Sequence, residues 1–491
     1  MVLMAWLLRM ARRGLIGLFL VAVVLLGVRA WDSQRGAPLD VWHEYVPAEL
    51  SAADLDTADW ADWQDAEARV FAEVETAVTQ ALDPEDRVAD NRYFSGSPVH
   101  PAGFARDWNR SYVDMPDGAI RGAVVLLHGL TDSPYSLRHV GDLYRRAGFV
   151  VVAIRLPGHG TVPAALTDAT SDDWQAATAL AVREARRQAG PDVPLHLVGY
   201  SNGGALALTY ALDTLDDASL ARPDRLVLIS PMIGITAFAR FAGLAGLPAI
   251  LPAFAKAAWL SILPEFNPFK YNSFPVQAAR QSYEVTQVLQ RRIREAAEDG
   301  RLRDLPPVLA FQSVVDSTVS TRAVVEAFFD RLPANGSELV LFDLNRSATF
   351  GPLFRTVDED LADTLLPRAP RAYRATIIGN AGRGSVAVVA RTTEAGASRE
   401  EVTPLDLTYP SDVFSMSHVA LPFPVDDGLY GLEPAPDPAE DFGVRLGATA
   451  TRGEQGTLII ALDALMRITS NPFFPYLAAR VTEAVEAESA P

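Results

Sequence analysis

The chain has 491 residues, 49% of them hydrophobic, with a formal net charge of −18 and no cysteine. That length exceeds one minimal domain but admits an elaborated single α/β domain, and the apolar share is ample for a large core. The acidic balance argues against nucleic-acid binding, which needs a basic face, while the missing cysteines exclude disulfides, thiolate chemistry and cysteine-ligated zinc.

Residues 1–30 stand apart. Arg9, Arg12 and Arg13 precede an apolar run over 14–28, and Arg29, Asp32, Ser33 and Gln34 then turn the chain polar. A basic flank ahead of an apolar segment leaves the N-terminus in the cytoplasm and sends the rest outward. The run is short for a spanning helix, which needs about 20 residues. We expect an uncleaved inner-membrane anchor with the folded part facing the periplasm. The alternative is a signal peptide cut near Val28-Arg29-Ala30, giving an exported soluble protein. A buried helix of the folded domain is opposed by position and flanks.

Residues 31–118 read as an acidic, tryptophan-rich extension. Helical spacing over 51–82 places Trp60, Trp63, Val70, Phe71, Val74 and Val78 on one face, with Glu67 out of character on the same stripe. From 119 to 231 strands and helices alternate. Strands are expected at 123–127, 150–154, 195–198 and 225–230, and helices at 136–147, 172–188 and 203–212. Near-continuous apolar strands in such alternation imply a mostly parallel sheet covered on both faces. Residues 232–300 break the rhythm with Ala- and Leu-rich stretches, prolines and aromatic clusters such as Phe266-Asn267-Pro268-Phe269. Placed between two sheet strands, they are expected to cap the site; the alternative is a surface insertion without substrate contact. Strands at 308–312 and 338–342 resume the sheet within 301–345. Residues 346–410 read as a second insertion with strand-like runs at 375–379 and 385–390, and 411–491 complete the body.

One pentapeptide carries the chemistry. Gly199-Tyr200-Ser201-Asn202-Gly203 follows the apolar run 195–198 and opens a small-residue helix, the order a nucleophile elbow requires. A serine hydroxyl needs a histidine to take its proton, and the histidine needs an acid to fix its tautomer. With the elbow serine the partners follow in the order acid, then histidine. Of seven histidines only His418 lies beyond Ser201, which selects the base. Asp316, just past strand 308–312, is the expected acid, and Asp343 at the end of strand 338–342 is its rival. The developing oxyanion needs two backbone N–H donors. They are assigned to Asn202, next to the nucleophile, and Leu130, in the His128-Gly129-Leu130-Thr131 loop after the first strand. His128 and His159 lack a second ligand at helical or hairpin spacing and are read as loop-shaping residues rather than metal ligands.

With these motifs the chain resembles the α/β-hydrolase superfamily, and more narrowly its carboxylesterase and monoacylglycerol-lipase-like branch. The resemblance rests on the stretch from Val124 through His128-Gly129-Leu130-Thr131 to Ser136, on Arg155-Leu156-Pro157-Gly158-His159-Gly160, on the elbow, and on Asp316-Ser317-Thr318-Val319. It covers about residues 120–345 and the region of His418, and extends to proteobacterial members with an N-terminal hydrophobic segment. It implies an α/β-hydrolase fold with a cap at 232–300 and a serine hydrolase acting on carboxylic esters through an acyl-enzyme. It also implies a small-molecule or lipid ester substrate, with no cofactor and no metal. A thioesterase, a lysophospholipase, an acyltransferase and a non-enzymatic envelope protein on a hydrolase scaffold are the alternatives. The sequence leaves the oligomeric state open. Two departures from the branch bear on substrate: the long interval from Asp316 to His418, and Ser417 where glycine is usual.

Overall fold

Runs of valine, leucine and isoleucine build the sheet at the centre of the molecule, because β-branched side chains pack well on a pleat that is buried on both faces. A computed structural model describes residues 2–235, 246–347, 361–449 and 466–489. Its main sheet has ten strands: β1 (Tyr112–Asp114), β2 (Gly122–Leu127), β3 (Phe149–Ile154), β4 (Leu195–Tyr200), β5 (Arg225–Ile229), β6 (Val308–Ser313), β7 (Glu338–Phe342), β8 (Arg374–Asn380), β9 (Ala387–Thr393) and β10 (Glu400–Thr408). The spatial order is β1-β3-β2-β4-β5-β6-β7-β8-β9-β10. Strands β2 to β8 pair in parallel, while β1 and the β8–β9–β10 edge pair antiparallel. Every residue of β2, β3, β4 and β6 is buried.

Helices cover both faces. On one side lie α4 (Ser171–Ala189), α5 (Asn202–Asp213) and α6 (Val276–Glu298), which contribute Trp174, Leu180, Leu206, Leu289 and Ile293 to the larger core. On the other lie α3 (Arg138–Arg146) and α7 (Phe474–Ser489), with Val140, Tyr144, Leu477 and Val481 inward. The architecture is the α/β-hydrolase fold.

Several expectations shift in detail. The single helical stretch over 51–82 divides at Ala58: a short helix (Ala52–Thr57) ends there, and Asp59 caps α2 (Trp60–Val74) by accepting from the N–H groups of Ala61 and Asp62. Asp59 is a strong cap, so the chain restarts a helix rather than continuing one. The extension also supplies β1, whose Tyr112 pairs with Ala153. Within the second insertion, β8 continues the parallel ladder directly from β7. Of the segment 232–300, α6 packs in the helical layer against α5, and residues 246–275 form 3₁₀ turns and a two-stranded ladder. Residues 236–245 and 348–360 of the two insertions, and 450–465 of the C-terminal part, lie outside the described residues. The N-terminal run forms helix α1 (Val2–Ser33), of which Met10–Ser33 is long and apolar enough to cross a membrane.

Candidate active site

The elbow places Ser201 where β4 ends and α5 begins. Its backbone sits at φ 55°, ψ −114°, a conformation that L-residues avoid and that the surrounding contacts must hold. Glycine is required on both sides. A Cβ on Gly199 would lie 2.3 Å from the Gly203 carbonyl oxygen, and one on Gly203 would lie 1.9 Å from that of Leu127. The Ser201 N–H donates to the Ile229 carbonyl at 3.0 Å, tying the turn to β5.

His418 reaches Ser201 from the far end of the chain. Its Nε2 lies 2.9 Å from Ser201 Oγ, and its Nδ1 lies 2.8 Å from Asp316 Oδ2. A carboxylate accepts only, so Nδ1 donates to Asp316 and Nε2 offers a lone pair to the serine hydroxyl. Asp316 is itself fixed. Its Oδ1 accepts from the N–H groups of Thr318 (2.8 Å) and Val319 (3.0 Å), and its Oδ2 accepts from Gln312 Nε2 (3.1 Å). Burial pushes the Asp316 carboxyl up, but the His418 ring and these donors outweigh it and hold the group below the ordinary carboxylate range. Asp343, the rival acid, pairs instead with Arg346 at 3.1 Å.

The two assigned N–H donors flank the serine. Asn202 is the first residue of α5, where an N–H has no intrahelical acceptor. Gly129 approaches so closely that a Cβ there would sit 3.3 Å from Ser201 Cβ, which brings the Leu130 backbone alongside. Among the described residues neither N–H has a protein acceptor. His128 and His159 are committed to the loops. His128 Nδ1 donates to the Gly129 carbonyl while its Nε2 accepts from the Leu156 N–H at 3.0 Å. His159 Nδ1 donates to the Pro157 carbonyl at 3.1 Å.

Residues that sequence reasoning missed hold this arrangement together. Asn345, just past β7, donates to the carbonyls of Pro410 (2.7 Å) and Val413 (2.9 Å), so the chain returning from β10 is clamped beside the site. Tyr200 donates to the His418 carbonyl at 3.3 Å and lies beside the imidazole. Buried Arg155 pairs with Glu49 (2.6 Å) and Glu67 (3.1 Å), and Glu49 also accepts from the Gly158 N–H. Glu67, anomalous on an apolar stripe, thus fastens the extension to the Pro-Gly-His-Gly loop; that anomaly was its only sequence signal. Buried Asp427 accepts from Tyr135, Arg138 and His139, joining the segment after His418 to the start of α3. A cleft of about 410 Å³ opens beside His418, lined among others by Val315, Phe414, Met416, Arg467 and Ile468.

A mostly parallel sheet with a strained serine at the turn from a strand into a helix is the arrangement of the α/β-hydrolase fold. Residues 118–344 match the family described as serine aminopeptidase, S33. Over 88 residues the chain is 33% identical to the thermostable monoacylglycerol lipase of Bacillus sp. (strain H-257), covering 18% of this chain and 34% of that protein. The match thus spans about a third of that relative's length. Among solved structures, it is similar to a monoacylglycerol lipase from Paleococcus ferrophilus (18% identity, TM-score 0.36, 48% of this chain and 89% of that one). It is also similar to ferulic acid-bound Est1E from Butyrivibrio proteoclasticus (19% identity, TM-score 0.35, 48% and 85%).

Proposed function

We propose that this protein is a serine hydrolase of carboxylic esters, with Ser201 as nucleophile, His418 as base and Asp316 as its acid partner. The observation that carries the reading is the unbroken run of contacts from Ser201 Oγ to His418 Nε2 at 2.9 Å and from His418 Nδ1 to Asp316 at 2.8 Å. As Ser201 Oγ attacks the carbonyl carbon, its proton passes to Nε2, and Asp316 stabilises the imidazolium. The carbonyl oxygen gains charge between the N–H groups of Leu130 and Asn202. Imidazolium then protonates the leaving alcohol, and water frees the acyl group from Ser201 with His418 again as base.

The same acyl-enzyme serves a thioester or passes its acyl group to an alcohol, so thioesterase, lysophospholipase and acyltransferase activities differ from this reading in leaving group and acceptor only. Similarity to a monoacylglycerol lipase favours an ester with an acyl chain, from a lipid or a small molecule. Helix α1 supports an inner-membrane anchor with the hydrolase on the periplasmic side.

The test is hydrolysis of p-nitrophenyl esters from acetyl to palmitoyl, with Ser201→Ala alongside. We expect turnover in the wild type and a loss of at least about 10⁴-fold in the variant. A folded Ser201→Ala protein that turns over at the wild-type rate would overturn the assignment.

A further inference from the structure

The last two turns of α1 do not stand free of the body. Arg29 donates to the Trp259 carbonyl (2.5 Å), Gln34 donates to that of Ala253 (3.1 Å), and Lys256 reaches back to the Gly36 carbonyl (3.1 Å). Leu26, Arg29, Ala30 and Ser33 are the positions of α1 shielded by these contacts, and their spacing puts them on one helical face. From residue 10 to 25 the helix is exposed on every side. No protein covers Leu15, Leu18, Phe19 or Val24.

The depth of the contact is informative. Leu26 belongs to the apolar span, whereas Trp31 and Arg35 mark where the helix leaves it, the guanidinium 4.2 Å from the indole ring. Tryptophan beside arginine is the pairing that settles at a membrane surface. The segment that packs on this end of α1 therefore lies at that surface. This segment, residues 247–263, turns its own aliphatic side chains outward. Ile250 is 76% exposed and Leu251 59%, with Leu247, Leu260 and Leu263 beside them. Arg29, Arg35 and Lys256 gather at the same level in a chain whose net charge is −18.

We propose that residues 247–263 and α1 seat together in one lipid leaflet, and that α1 is retained because its end is built into this segment. The occupant is lipid because the patch continues a span that only a bilayer covers, and because its cations stand where lipid phosphates lie. Cleavage after Ala30 would remove the Arg29 contacts and the Ala30 carbonyl to which buried Ser33 donates. The same stretch runs on through Tyr271, whose N–H donates to the Thr131 carbonyl at 2.8 Å. A leaflet-seated segment thus borders the loop of Leu130, and a lipid ester would approach Ser201 from that side; this last consequence rests on the proposed esterase reading, whereas the surface itself does not.

The chain has no cysteine, so one introduced thiol gives a unique label. Full-length Ile250→Cys carries an environment-sensitive dye and is reconstituted into phosphatidylcholine–phosphatidylglycerol vesicles containing lipids spin-labelled high on the acyl chain. The control is Val402→Cys on edge strand β10, itself 56% exposed. We expect blue-shifted emission and at least twofold quenching at position 250, with neither at 402. Water-like emission at both sites in vesicle-bound protein would overturn the proposal. So would intact mass spectrometry of the membrane-extracted protein showing a chain that starts after residue 30. Neither readout uses turnover, and Ser201→Ala should leave both unchanged, so failure of the esterase reading and failure of this one are separable.

Discussion

Asp316→Asn exchanges one oxygen for an NH₂ group and leaves the volume unchanged, so it isolates the acid's electronic role. The carboxylate accepts four hydrogen bonds: Thr318 and Val319 N–H at Oδ1, and His418 Nδ1 and Gln312 Nε2 at Oδ2. An amide has one accepting atom. If its oxygen keeps the two backbone donors, its NH₂ faces His418 Nδ1, which must then accept. Nε2 now carries the proton and points a donor at Ser201, so the base is lost. The flipped amide would set its NH₂ against two backbone N–H groups at 2.8 and 3.0 Å, forfeiting two bonds at about 1.5–3 kcal/mol each. The first arrangement sacrifices only the Gln312 bond and prevails. We therefore expect kcat to fall about 10⁴-fold with KM within about twofold, roughly 5.5 kcal/mol of transition-state stabilisation. Initial rates on p-nitrophenyl butyrate measure this, with circular dichroism to verify the fold. A folded variant that keeps more than about a tenth of wild-type kcat/KM would refute the reasoning. In contrast, Asp343→Asn should leave kcat unchanged, because its carboxylate faces Arg346.

Three further outcomes are expected. Gly203→Ala drives a methyl group to 1.9 Å from the Leu127 carbonyl oxygen and should cost more than about 4 kcal/mol, read as loss of soluble protein or a collapsed thermal transition. Glu67→Ala removes one partner of buried Arg155 and two acceptors of Ser111, and should lower urea-unfolding stability by about 3–5 kcal/mol, with Glu67→Gln milder. Burial pushes His159 from 6.5 down to about 3, so between those values the unfolded chain binds a proton that the native ring refuses. Stability from this group therefore falls as pH drops, by about 2 kcal/mol between pH 7 and pH 5. Asp40, pushed up to about 6 by burial and neighbouring acids, acts in the opposite sense. The clean measurement is thus the difference between wild type and His159→Asn at the two pH values, which should shrink by that amount; an unchanged difference would show that the ring charges in the native state.

What could be read from the chain divides along physical lines. Strands β2 to β7 were legible because burial on both faces demands unbroken apolar runs, and nothing else in a soluble domain writes that pattern so plainly. The elbow was legible because its backbone tolerates only glycine at 199 and 203. The edge was not. In β10 most side chains face solvent, so Glu400-Glu401-Val402-Thr403-Pro404 carries no alternation that a period-two reading would detect. The break at Ala58 escaped because apolar spacing continues across it, and only the cap at Asp59 marks the restart. Glu67 and Arg155 escaped because a buried ion pair joins residues far apart in sequence, and charge has no period.

The long interval between Asp316 and His418 poses the problem of how the imidazole still reaches the carboxylate. Strand pairing and two side chains answer it. Because β8 takes its register from β7, with Leu341 beside Ile377, and β9 and β10 pair on in turn, residues 374–408 grow outward along the sheet. It comes back through Tyr409, which donates to the Asp343 carbonyl at 2.9 Å, and through Asn345, which holds Pro410 and Val413. Both anchor points lie just beyond the C-terminal end of β7, the neighbour of the strand that leads into Asp316. The position of His418 is therefore set by the end of β7 and is independent of how many residues lie beyond it. On this geometry Asn345→Ala should weaken turnover more than shortening the β8–β9 hairpin does, since only the former releases the chain that carries the imidazole.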